Sequence, residues 1–417
     1  MSSRLPQVIR ASQAFRLDHH HLPGFPFVLD HEGFLIEPIF AFLRSEAVQR
    51  HMAAGTLLDE AYVLRTWWHF VTGPSPFATI SVDTVVQWTG LELSRNQTTG
   101  KGRSKRRLSR CLDVIGRFHR YILSDRIYAA GSENWRSSSY LARLDPRLRD
   151  ASFAEVSLGH PAQRLNGGRP TPSEPDVERV LDALASRESP YLAARDWLLG
   201  RWMRDVGLRR AGVASLTVES LAQALIAEGI LERHESLTTA GSTKRSRSQI
   251  RGRIEEFRKT GRSFICGEIT EKGGRTRETK IPFSLVLETL DYVWGERTHL
   301  QNSPAPSGPL WLSVKTRRGL TAAAIGDIVK QAFRAASVKG SGHRLRACYA
   351  EEIVFRLYDQ AKTTQDILFD ENQILIDAAE AMGHSNWKSL RHYLNRAARN
   401  YAAQARQRSS SVRQGLR

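Results

Sequence analysis

The sequence predicts a mainly helical protein with one small antiparallel β-sheet, divided into two domains. Three observations carry this. Apolar residues recur at spacings of three and four over most of 37–123, and again from 173 onward, as they do on the buried stripe of a helix. One stretch, FICGEITEKGGRTRETKIPF at 264–283, alternates instead and turns at Lys272-Gly273-Gly274, which signals a hairpin. Between the helical regions, 129–172 is rich in turn formers and ends in Gly167-Gly168-Arg169-Pro170-Thr171-Pro172, which marks a domain boundary near 170.

Taken in order, residues 1–34 read as an irregular segment, with Pro6, Pro23 and Pro26. The run His19-His20-His21 reads as a solvated loop, because nothing nearby offers a further metal ligand at a recognisable spacing. Residues 35–128 read as a helical domain. Leu57, Ala61, Leu64, Trp68 and Val71 share one helix face, and Gly73-Pro74 ends it. Ser81 is a candidate cap for a helix carrying Val82, Val85 and Val86. Leu108, Leu112, Ile115, Phe118 and Ile122 make a third apolar face.

Residues 129–172 are a linker in this reading, and 173–400 form the second domain. Ser173 is a candidate cap, Pro175 suits the first turn, and Glu174 and Asp176 suit the positive end of the helix dipole. A helix over about 191–205 ends at Gly207. Leu216, Val218 and Leu221 suggest a short strand. Residues 233–262, with nine Lys or Arg against three acids, suggest a mobile insertion that orders on a polyanion. Tyr358–Asp370 suggests a loop between helices, and 401–417 a C-terminal tail.

Composition narrows the partner. Lys and Arg number 61 against 43 Asp and Glu, a net charge of +18, which points to nucleic acid first and an anionic membrane surface second. The excess is concentrated. Between Arg95 and Arg126 ten basic residues face two acids, on the flank of the third apolar helix. Lys101, Arg103, Lys105, Arg106, Arg107, Arg110 and Arg117 are therefore candidate phosphate contacts, with Lys244, Arg245 and Arg247 of the 233–262 segment. Cys111, Cys266 and Cys348 lie too far apart for a metal motif or disulfide framework, so a reducing cytoplasm is expected. The start, MSSRLPQVIR, lacks the apolar core of a signal peptide, and no apolar run approaches the roughly 20 residues a membrane helix needs.

The chemistry-bearing residues fall in a definite order: Arg209 in GLRR, Lys272 on the hairpin, His343 and Arg346 in HRLR, Gly383-His384, then Tyr393 nine residues beyond His384. Arg210 is an adjacent rival to Arg209, and Lys280 a rival to Lys272. This order, each residue on the expected kind of element, resembles the tyrosine recombinase (phage integrase) family of site-specific DNA recombinases. The resemblance covers 173–400 by motif and 35–128 more loosely, as that family's helical, SAM-like core-binding domain.

The resemblance implies a C-shaped, two-domain clamp on double-stranded DNA, assembling to a tetramer on specific sites, alone or with sister recombinases. It implies that Arg209 and Arg346 hold the non-bridging oxygens of the scissile phosphate and that Lys272 protonates the departing 5′-oxygen. His343 would assist proton transfer at the tyrosine, His384 would bond a phosphate oxygen, and Tyr393 would attack to give a 3′-phosphotyrosyl link. Two guanidiniums suit the charge that develops in phosphoryl transfer, and a covalent link conserves bond energy, so neither ATP, metal nor other cofactor is expected.

This chain departs from the pattern at Gly212, where the family often has an acid, in the long interval from Arg346 to His384, and in the length of 233–262. These suggest a divergent branch carried on a mobile element and serving integration or transposition. Two alternatives share the features: a type IB topoisomerase, which rejoins the same strand, and a DNA-binding accessory protein that has lost cleavage.

Overall fold

The computed structural model describes residues 5–17, 19–73, 76–99, 104–124, 127, 135–153, 171–233, 237, 241–270, 276–300, 308–363, 370–383 and 386–402. The chain forms two compact units, Met1–Arg164 and Leu165–Arg417.

The first unit opens with two antiparallel ladders rather than an irregular segment. Strand β1 (Gln7–Arg10) pairs with β4 (Pro26–Leu29), and β2 (Arg16–Leu17) pairs with β3 (His20–His21) inside that loop. Phe25 and Val28 are buried in the unit's core. Helices α1 (Glu37–Val48), α2 (Ala54–Thr72), α3 (Val82–Thr99) and α4 (Lys105–Ile122) follow. The apolar face predicted for α2 is buried at every position, and so is that of α4. Ser104 caps α4 by accepting from the Arg107 amide.

Part of the predicted linker belongs to this core. A short helix, α5 (Ser138–Leu141), leads into a tight turn at Pro146–Arg149. Tyr140, Leu141, Leu144, Leu148 and Phe153 are all buried, and Leu144 bridges to Ile80. The polar composition around them hides five large apolar side chains that this small core needs. At its centre the Tyr140 hydroxyl accepts from Trp67 Nε1 at 3.2 Å and lies 3.1 Å from His119 Nε2. Burial drives the His119 pKa down to about 3 and pushes Tyr140 upward.

The second unit begins with α6 (Glu174–Ala185), capped by Ser173 as predicted, and α7 (Pro190–Asp205). Helix α8 (Arg210–Ser215) leads to α9 (Val218–Ala227), where the sequence suggested a strand; a reciprocal cap between Thr217 and Ser220 starts α9 and its apolar residues are buried on a helical face. The segment read as a mobile insertion contains a third unexpected helix, α10 (Lys244–Lys259), capped by Thr243 and held to the core through Ile250 and Ile254.

Strands β5 (Phe264–Thr270) and β6 (Thr276–Pro282) form the predicted hairpin in register Thr270↔Thr276 to Phe264↔Pro282. Then come α11 (Phe283–Tyr292), α12 (Ala322–Ala335), α13 (Gly342–Thr363) and α14 (Glu371–Met382). Helix α13 runs on through Thr363, so the first half of the predicted Tyr358–Asp370 loop is helix. A last helix, α15, covers 391–402. No helix among the described residues is long and apolar enough to cross a membrane.

Candidate active site

Three arginines from three elements converge on the C-terminal end of α14. Arg277 of β6 donates through Nη1 to the Ala381 carbonyl at 2.6 Å. Arg346 of α13 donates through Nη2 to the Met382 carbonyl at 2.5 Å. Arg209, the cap residue of α8, donates through Nη1 to the Gly383 carbonyl at 3.3 Å. The last carbonyls of a helix lack intrahelical donors and carry the negative end of its dipole, so cations collect there. Gly383 closes the helix in the left-handed conformation, φ 60°, which glycine adopts without strain.

Arg346 is nearly inaccessible, at 2% exposure, and its Nη1 also donates to the Gly207 carbonyl. Gly207 has φ 66°, and a side chain there would strike the Tyr349 ring. Glycine therefore makes the turn that aims this carbonyl at Arg346 and places Arg209 two residues later. The guanidinium fork suits the position because one planar group serves two acceptors.

His343 precedes Arg346 by one turn of α13 and stays exposed. Its pKa is lowered, first by partial burial and then by the positive charges of Arg346, Arg344 and Arg209. The imidazole is thus neutral near pH 7 and able to accept a proton. Arg209 and Arg346 thus meet at the end of α14, and their charges, with that of Arg344, act on His343.

Tyr393 lies on α15. It is 9% exposed, packed in the apolar core formed by α13, α14 and α15, with the His392 ring centroid 3.8 Å from its own. Burial raises its pKa; Arg344 acts against this, Glu351 and Cys348 with it, and Arg396 against. Arg396 fixes α15 by donating to Glu351 and to Thr171 Oγ1 at 2.8 to 3.0 Å. Arg344 acts on both His343 and Tyr393, a link the sequence reading did not single out.

Lys272 and His384 lie outside the described residues, as do Lys101 and Arg103 and the side chain of Arg106. The two rivals are directed elsewhere. Arg210 lies against Gly326 of α12, and the Lys280 ammonium sits 4.7 Å over the Phe264 ring, well back from the hairpin turn. At Gly212, where an acid was expected, the residue is buried, and a backbone carbonyl, that of Gly383, accepts from Arg209.

The proposed phosphate contacts divide. Lys105, Arg107, Arg110, Lys244 and Arg245 are exposed. Arg117 is not available in the same way: at 16% side-chain exposure it pairs with Glu46, Glu60 and Asp113. Arg247 is likewise drawn inward, donating to the Gly241 and Trp294 carbonyls at 2.6 and 3.1 Å. Charge counting misplaces both, because it does not register which basic side chains the fold consumes.

A helical unit joined to a second unit of helices around one hairpin is a fold with counterparts among solved structures. The chain is similar to the XerH site-specific recombinase bound to palindromic difH substrate after cleavage, with 15% identity, 88% of this chain and 94% of that chain covered, and a TM-score of 0.53. It is similar to XerH bound to difH before cleavage, with 14% identity, 85% and 90% covered, and a TM-score of 0.50. A lambda integrase dimer on a COC′ core site aligns at 10% identity over 86% and 94%, TM-score 0.47. No protein-family profile matches the chain, and no curated protein matches its sequence.

Proposed function

We propose that the protein is a site-specific DNA recombinase that cleaves and rejoins strands through a 3′-phosphotyrosyl intermediate. The observation that carries this is the convergence of Arg209 and Arg346 on the last carbonyls of α14, with His343 one turn before Arg346 on α13. The carbonyls that accept from these guanidiniums are the kind of acceptor a phosphodiester oxygen replaces. Bound there, the scissile phosphate would take a bond from Arg209, and from Arg346 once the Gly207 and Met382 carbonyls that hold its two Nη groups give way. Both charges stay in place as negative charge builds on the equatorial oxygens. The XerH structures with the same fold hold DNA substrates before and after cleavage, which supports the same class of substrate here.

A phenol with an ordinary pKa of about 10 is a poor nucleophile at neutral pH, and burial moves Tyr393 further from reactivity. Attack therefore calls for the Tyr393 hydroxyl to leave the apolar core of α13, α14 and α15 and reach the cluster. His343 then accepts its proton. The oxygen–phosphorus bond forms as the bond to the 5′-oxygen breaks, with Lys272 supplying the proton and His384 bonding the phosphate. Exchange of two strands at each of two sites calls for four protomers on DNA.

The test uses the full chain and a nicked duplex of its own site, in which the cleaved fragment is lost and the adduct accumulates. A covalent protein–DNA adduct that survives denaturation and forms in EDTA is expected. Strand exchange between two sites, without relaxation of a supercoil, separates recombinase from topoisomerase; absence of any adduct leaves only DNA binding.

A further inference from the structure

The β5–β6 hairpin is fixed to the candidate site from both strands. On β5, the Thr270 carbonyl accepts from Ser215 Oγ at 2.5 Å, tying that strand to α8, the helix Arg209 caps. On β6, Arg277 binds the Ala381 carbonyl, one residue before the carbonyl held by Arg346 and two before that held by Arg209. Arg277 faces Ile269 across the ladder, next to the last pair before the turn.

We infer that Arg277 is a positioning residue for strand cleavage: its bond to the end of α14 sets the hairpin against the phosphate cluster and so fixes where the hairpin delivers a proton to the departing 5′-oxygen. This rests on the recombinase reading above. In the step it serves, the Tyr393 oxygen bonds to phosphorus and its proton passes to His343. The phosphorus–O5′ bond breaks with its electron pair on oxygen, and that oxygen takes the proton from the hairpin.

The experiment compares single-turnover cleavage by the wild type, Arg277→Ala and Arg277→Lys on two nicked substrates. One has the natural 5′-oxygen at the scissile bond; the other has a bridging sulfur, whose thiolate leaves without protonation. Arg277→Ala should slow cleavage of the oxygen substrate by about 10-fold or more, a share of the 10²–10⁴ that positioned proton transfer supplies. It should cleave the sulfur substrate near the wild-type rate, and Arg277→Lys should recover part of the loss. Equal slowing on both substrates would overturn the inference and make Arg277 structural or a phosphate contact, and so would an unchanged rate on the oxygen substrate. If the wild type forms no adduct with either substrate, the recombinase reading itself has failed, which is a different outcome. Urea unfolding of each variant shows whether the fold is retained, and Arg277→Lys, which keeps the charge, repeats the substrate comparison where Arg277→Ala does not fold.

Discussion

Acidification should loosen the first unit through one residue, His119. The histidine is completely buried, 3.1 Å from the Tyr140 hydroxyl, and its pKa in the folded chain falls to about 3 against 6.5 unexposed to the fold. The unfolded chain therefore binds a proton near pH 6.5 that the folded chain refuses. For a depressed folded pKa, stability is full above the unfolded value and is lost as pH falls toward the folded one. Each pH unit in that window costs about 1.4 kcal/mol, so lowering pH from 7 to 5 costs about 2 kcal/mol from this group alone.

Other carboxylates and histidines titrate over the same range, and a comparison with His119→Gln cancels them. The amide can still reach Tyr140 but takes up no proton. Urea unfolding at pH 7, 6 and 5, read by hydrogen exchange at α2 and α4 amides, reports the first unit by itself. Wild type should lose about 2 kcal/mol more than His119→Gln between pH 7 and 5. Parallel losses, within about 0.5 kcal/mol, would refute the claim that the folded core keeps this imidazole neutral.

Three further outcomes follow from the same geometry. Arg117→Ala leaves Glu46 and Glu60 buried without their cation; the first unit should lose about 3–5 kcal/mol in urea unfolding. Arg107→Gln and Arg110→Gln should spare stability and each reduce the salt slope of DNA affinity by about 1, measured by titration at several salt concentrations. His343 acts as a base when neutral, so adduct formation should fall as pH is lowered and the imidazole takes up a proton; in the free protein its lowered pKa keeps this limb below the ordinary histidine value. The limb should lie higher in the DNA-bound protein, because a bound phosphate offsets Arg346 and Arg209.

Much of this was legible in the residues, and the failures have identifiable causes. Helices α2, α4 and α6 announce themselves because their apolar stripes are long and their starts carry signals, such as Ser173. Helix α9 was misread because Leu216, Val218 and Leu221 span too short a window to separate a period of two from one of 3.6. Its cap pairs Thr217 with Ser220 rather than with an acid or amide. Helix α10 hides behind its charge, since Ile250 and Ile254 are all it buries. The β1–β4 ladder depends on pairing across 15 intervening residues, which no local pattern encodes.

In the candidate site, Arg209, His343 and Arg346 could be read from residue type and order. The carbonyls of Gly207, Ala381, Met382 and Gly383 could not, since backbone acceptors leave no mark on a sequence. Nor could the burial of Tyr393 in the apolar core of α13, α14 and α15, which depends on how α15 lies on its neighbours.

The central claim is that Tyr393 becomes the nucleophile. Its most direct test is to digest the covalent adduct formed on a nicked duplex and locate the attached nucleotide by mass spectrometry. The account predicts a single modified peptide carrying a 3′-linked nucleotide on Tyr393, and no adduct from Tyr393→Phe. An adduct on any other residue, or one that persists undiminished in Tyr393→Phe, would contradict it.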